Sequence, residues 1–252
     1  DIQFKSWNVM HMQMDLRDLR LHAATSHFVY GPTTHYSDDF GKTWTQAKQV
    51  PVITRPSKSG RPSGTVDEEF RSASGESVKE KPEKMIKVWN ITPGRASEPN
   101  VLYAGAQPAT FFISKDRGET WTLNDSLYDH PQRGAWNPGN GGLCLHTILL
   151  DSTNTKRIYI AVSAAGCYRT DDGGLTWSPY NKNVRADFMP NKFPEFGQCV
   201  HKMVMHPANP QVLYQQNHCG VYRSDNAGAD WIDIGDGKLP SRFGFPIAVH
   251  PT

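Results

Sequence analysis

Cysteine, net charge and long apolar runs are all scarce in this chain of 252 residues. Its 27 basic and 25 acidic side chains leave a formal charge of +2, and no Lys/Arg run offers a groove that would track phosphates. A nucleic-acid partner is therefore not expected. No apolar stretch nears the ~20 residues that span a bilayer, so no membrane helix and no membrane partner are expected. No leader is visible, and Asp1 reads as an interior start. The four cysteines, Cys144, Cys167, Cys199 and Cys219, show no CxxC spacing. Their expected role is small buried packing, with a cytoplasmic location as the corresponding expectation. Nucleophile-elbow, P-loop, zincin and dinucleotide motifs are all missing, which leaves serine-hydrolase, nucleotide and zincin chemistry without support.

What the chain does have is one octapeptide written four times. The copies are Ser37–Trp44, Ser114–Trp121, Thr170–Trp177 and Ser224–Trp231, sharing the form S/T-x-D-x-G-x-T-W. The fourth copy substitutes Asn226 and Asp230. Each copy lies between short aromatic or β-branched runs, so it reads as a hairpin turn. Asp39, Asp116, Asp172 and Asn226 can fold a side-chain oxygen back onto nearby backbone N–H groups. Gly41, Gly118, Gly174 and Gly228 fall where the turn requires φ > 0. The closing Trp supplies apolar bulk for packing between sheets. Local turn chemistry accounts for these Asp residues without a catalytic role.

The repeat is wider than its turn. Leu143–Trp177 aligns with Cys199–Trp231, placing His146 on His201, and Val88–Trp121 follows the same plan. Each unit is four short strands, A to D, with the octapeptide between C and D. Radial repetition of such units gives an all-β, antiparallel β-propeller. The expected blades are 7–47, 86–124, 143–180 and 199–234, in a single and incomplete domain. Residues 243–250 read as the first strand of a fifth blade, and 46–87 as a long polar insertion. Cys144 and Cys199 hold the same position one repeat apart, too far for disulfide geometry; metal ligation is the other role open to the cysteines.

These residues resemble the Asp-box, or BNR, repeat of the sialidase-like propeller superfamily, and the resemblance covers nearly the whole chain. The segments around His146, His201 and Gln215–Gly220 are similar to bacterial BNR-repeat proteins of glycosyl-hydrolase-like type. The resemblance implies the fold firmly and an activity only weakly. Sialidases add a three-arginine clamp, a Tyr–Glu pair and an Arg-Ile-Pro sequence; this chain lacks Arg-Ile-Pro. Arg17, Arg20, Arg95, Arg133 and Arg185 match no part of the clamp, so sialidase activity itself is not expected.

Strand alternation puts the D-to-A and B-to-C connections at the end of each blade opposite the octapeptide. Those connections are long: 46–87, 124–142 and 180–198. Binding and catalysis favour such loops on a rigid scaffold. Three chemistries compete there. A glycosidase needs two carboxylates, about 5–5.5 Å apart for retention or about 6.5–9.5 Å for inversion. Asp187 and Glu195 share one loop and are the catalytic candidates; Asp125, Asp129, Asp67, Glu68 and Glu69 are the other loop acids. A sugar platform would use the plane of Trp136 with Asn137 and Asn140, joined by His146, His201, Asn217 and His218. The imidazoles of His146, His201 and His218 could converge on a divalent metal, though no cofactor is required. The expected function is binding or hydrolysis of glycans through this end. The alternative is a non-catalytic scaffold that docks a protein through 46–87.

Overall fold

The computed structural model describes residues 3–60 and 82–250. Its strands form four antiparallel four-stranded sheets, each in chain order. Blade one holds β1 (Asn8–Met14), β2 (Leu21–His27), β3 (Gly31–Ser37) and β4 (Thr45–Gln46). Blade two holds β5 (Lys87–Pro93), β6 (Leu102–Gln107), β7 (Thr110–Ser114) and β8 (Thr122–Leu123). Blade three holds β9 (Leu145–Leu150), β10 (Ile158–Val162), β11 (Gly166–Thr170) and β12 (Ser178–Pro179). Blade four holds β13 (Val200–His206), β14 (Asn209–Asn217), β15 (Gly220–Ser224) and β16 (Ile232–Asp233). This is the all-β class of propeller-like blades, with an octapeptide joining the third strand to the fourth in every blade.

The chain divides into two compact units, Asp1–Gly134 with blades one and two and Ala135–Thr252 with blades three and four. In the first unit Ala24, Val88, Ile91, Leu102, Ala104, Phe112 and Trp121 form one core. In the second, Tyr159, Ala161, Val200, Met203, Leu213, Tyr222 and Trp231 do the same. Second strands such as Ile158–Val162 are buried on both faces, which explains why they are apolar throughout instead of alternating.

Residues 243–250 carry no strand pairing among the described residues. Two side chains of blade four bond the backbone there. Gln216 Nε2 donates to the Arg242 carbonyl at 3.1 Å, and His201 Nδ1 donates to the Gly244 carbonyl at 2.5 Å.

The octapeptide is a closed hydrogen-bond ring. In the second copy Ser114 Oγ donates to Asp116 Oδ1 at 2.7 Å and accepts from the Gly118 amide at 2.8 Å. Asp116 also accepts from the Thr120 amide at 2.9 Å and the Thr120 hydroxyl at 2.6 Å. The first and third copies repeat the pattern through Ser37, Asp39 and Thr43, and through Thr170, Asp172 and Thr176. These bonds favour the ionised carboxylate, and they pull the Asp39 pKa down to about 2.

In the fourth copy donor and acceptor are exchanged. Asn226 Oδ1 still accepts from Ser224 and from the Asp230 amide, but its Nδ2 donates to the Asp230 carboxylate. The ring thus survives both substitutions. Gly118 and Gly228 take φ of 90° and 82°, as expected, but the preceding Arg117 and Ala227 are also left-handed at 62° and 59°.

Each blade's first strand carries a one-residue bulge. Pairing with the second strand shifts at Met10, Trp89, His146 and His201 in blades one to four. A bulge leaves its residue unpaired and re-aims the side chain.

The described flanks of the 46–87 insertion are anchored within the first unit. Arg55 bonds both Asp125, in the one-turn helix α1 (Asp125–Tyr128), and Asp129. Ser57 Oγ donates to the Tyr128 carbonyl at 2.6 Å. Arg133 and Glu83 form a fully buried two-point ion pair at 2.6 and 3.0 Å, with the guanidinium 4.6 Å from the Tyr128 ring centre. Asp67, Glu68 and Glu69 lie outside the described residues.

Two stability outcomes follow from these contacts. Ser114→Ala leaves the buried Gly118 N–H without its acceptor and is expected to cost about 1–3 kcal/mol in urea unfolding. Glu83→Ala strands the Arg133 guanidinium in the core and is expected to cost about 3–5 kcal/mol by the same measurement.

Candidate functional site

Within the second unit, the end of blades three and four opposite the octapeptides is built from three connections. The 180–198 loop is tied down at both ends. Asn181, buried, bonds the Cys167 amide and carbonyl and the Glu195 carbonyl. A Cβ on Gly166 would clash with that Asn181 amide at 2.7 Å, which is why glycine opens this strand. Gln198 Nε2 donates to the Val184 and Pro194 carbonyls, and the Gly197 amide donates to Ala165. The loop is therefore a rigid part of the site.

The centre of this end is a group of three metal-type donors. One ligand atom each from Cys199, His201 and His218 lies within 4.8 Å of the others. Cys199 precedes β13, His201 is the bulged residue of β13, and His218 follows β14. The His218 amide donates to the Cys199 carbonyl at 2.9 Å, fixing the two backbones side by side. Burial lowers the His201 pKa and raises that of the Cys199 thiol. Aromatic rings surround the imidazoles: Phe245 stacks on His201 with centroids 4.6 Å apart, and Phe243 meets His218 edge-on at 5.0 Å. Phe188 approaches His218 at 5.6 Å.

His146 is not part of the group. Its Nε2 faces the Val200 carbonyl and its Nδ1 the Thr147 hydroxyl, each at 2.9 Å, so both nitrogens are occupied. The expected His146, His201 and His218 triad is therefore corrected to a cysteine and two histidines. The signal was present in the sequence as Cys144-Leu-His146 and Cys199-Val-His201, two copies of C-x-H. Alternate residues of an extended strand share a face, which pairs each His with its own Cys.

Trp136 is not a sugar platform in this structure. It is fully buried, and its Nε1 donates to the Tyr168 hydroxyl at 2.8 Å. Asn137 and Asn140 are exposed beside it. A Cβ on Gly139 would sit 3.9 Å from Ser163 Oγ, so their loop rests on the β10–β11 hairpin. Asn217 is buried, accepting from the Cys219 amide at 3.2 Å while its Nδ2 finds no partner. Both side-chain polar atoms of buried Gln215 are also unpartnered.

Asp187 and Glu195 are both exposed. Asp187 is bound by Arg185 at 2.8 Å, and its amide donates to Cys219 Sγ at 3.3 Å. The arginines weighed for a sialidase clamp are committed elsewhere: Arg17 to Asp15, Arg20 to Asp38, Arg95 to Glu98 and Arg133 to Glu83. In the first unit, Asp125 and Asp129 serve Arg55.

The BNR/Asp-box repeat model matches residues 35–46, 112–123 and 168–179, the first three octapeptides with their flanking residues. An ancestral glycoside hydrolase of type GH74 superposes with a TM-score of 0.56 and 15% identity, over 91% of this chain and 24% of its own. The GH74 enzyme of Niastella koreensis gives 0.55 and 18% identity, over 91% of this chain and 30% of its own. This chain is an Asp-box repeat β-propeller. It spans about a quarter to a third of the length of those two enzymes, and at such identity the likeness establishes the fold alone. No curated protein matches the sequence.

The propeller holds His146 neutral. Burial pushes its pKa down to about 4 from an ordinary 6.5, outweighing the Val200 carbonyl, which favours the charged ring. Unfolding restores the ordinary value, so the unfolded chain binds the extra proton between those limits. Stability from this group is full above pH 6.5 and is lost as pH falls toward 4. His146→Gln is expected to flatten that part of a denaturation-midpoint profile, and His22, His35 and His201, all lowered by burial, keep the remaining slope.

Proposed function

We propose that this Asp-box propeller binds carbohydrate at the loop end of blades three and four. The observation that carries the reading is the exposure of phenylalanines at this end, three of them packed around His201 and His218. Phe188, Phe193, Phe243 and Phe245 are 52, 55, 46 and 63% exposed. Apolar surface held open in this way marks a binding region. Phenyl faces cover the C–H faces of a pyranose, while Asn137, Asn140, Asp187 and Glu195 offer partners to its hydroxyls. The rigid 180–198 loop supports the same reading, because a preorganised surface spends little entropy on binding. The shared fold with GH74 enzymes adds a carbohydrate context.

Binding is preferred over hydrolysis on one observation. Asp187 is engaged by Arg185 at 2.8 Å, so this carboxylate is committed to an ion pair within its own loop. Titration calorimetry against a panel of neutral and acidic oligosaccharides tests the proposal. The expected result is saturable binding without turnover, weakened about tenfold by Phe245→Ala. Absence of binding to the folded chain would overturn it. Turnover removed by Asp187→Asn and by Glu195→Gln would instead make the pair catalytic.

A further inference from the structure

The repeat provides an internal control for the cysteine and histidine group. Sheet pairing brings three equivalent positions together in every blade: the residue preceding the bulge by two, the bulged residue, and the residue opposite the first. In blade one these are Asn8, Met10 and Ser26, and in blade two Lys87, Trp89 and Gln107. In blade three they are Cys144, His146 and Ser163, with the Ser163 amide bonded to the Cys144 carbonyl as His218 is to Cys199. Blade four alone fills all three with soft or borderline ligands, Cys199, His201 and His218. Among the described residues no other group of His, Cys, Asp and Glu converges in this way.

The surroundings favour coordination. The Gly244 carbonyl accepts a hydrogen bond from His201 Nδ1, which leaves Nε2 with its lone pair. A backbone carbonyl in this position is the usual support of a metal-bound imidazole. His218 is exposed, and its amide bonds the Cys199 carbonyl, which fixes the two backbones together. Phe188, Phe243 and Phe245 pack against the two imidazoles.

We infer that Cys199, His201 and His218 bind a thiophilic transition-metal ion of the zinc type, with a fourth position open to water or a ligand. One thiolate and two imidazoles suit such an ion, and three protein ligands leave a tetrahedral site one vacancy. Bonds of about 2.0–2.3 Å place ligand atoms roughly 3.5 Å apart, so the side chains close by about 1 Å on binding. Cys199 binds as the thiolate and gives its proton to solvent. This inference is independent of carbohydrate binding.

The test uses the full chain, reduced and stripped with chelator, with metal alone as the probe. Cobalt(II) is expected to bind in one equivalent, give a thiolate-to-metal charge-transfer band and be displaced by zinc(II). Cys199→Ser should remove the band. His218→Ala should weaken zinc binding more than about 100-fold, beyond the 10–100-fold that loss of a supporting hydrogen bond produces. Because His218 is exposed, its variant keeps the fold, which thermal melting by circular dichroism checks. His146→Gln should still bind one equivalent. A folded wild-type chain that binds no metal, or unchanged affinity in His218→Ala, would overturn the inference. So would a folded His146→Gln chain that has lost binding.

Discussion

The structure depends on one hydroxyl per blade. Ser37, Ser114, Thr170 and Ser224 each donate to the Asx side chain and accept from the glycine amide four residues on. These hydroxyls are buried, so water cannot replace them. The turn they close fixes where the third strand ends and where the tryptophan after it points. Trp121 and Trp231 then enter the cores of their units, and Trp231 Nε1 reaches the Tyr180 carbonyl of the preceding blade. Turn chemistry and blade-to-blade packing are thus one device within each unit.

With that end of the blade committed to folding, chemistry is left to the other. The loops there differ in length and composition from blade to blade, while the strands beneath them repeat the same bulge near the start of the first strand. Such a division lets one fold carry unrelated sites. It also explains why likeness to carbohydrate enzymes speaks for the scaffold before it speaks for any reaction.

How much could be read in the sequence varied with the range of the interactions. The octapeptide and strand pattern are local, so turns, blades and the glycine conformations were visible without coordinates. The left-handed Phe40, Arg117 and Ala227 were not, because no residue preference marks them. Trp136 looked like a platform because a Trp beside Asn and Gly suits sugars, yet the Tyr168 hydroxyl beneath it draws the indole inward. The metal-type group was half legible. His201 and His218 do lie together, but the bond that holds His146 to the Val200 carbonyl joins neighbouring blades, a range no local pattern carries.

The pairing of Asn226 with Asp230 makes the fourth octapeptide a coupled unit. An Asp at 226 would set two carboxylates against each other within one tight turn, whereas the amide oxygen still accepts the Ser224 hydroxyl and the backbone N–H. The two positions constrain each other, so the fourth blade is held to its variant spelling.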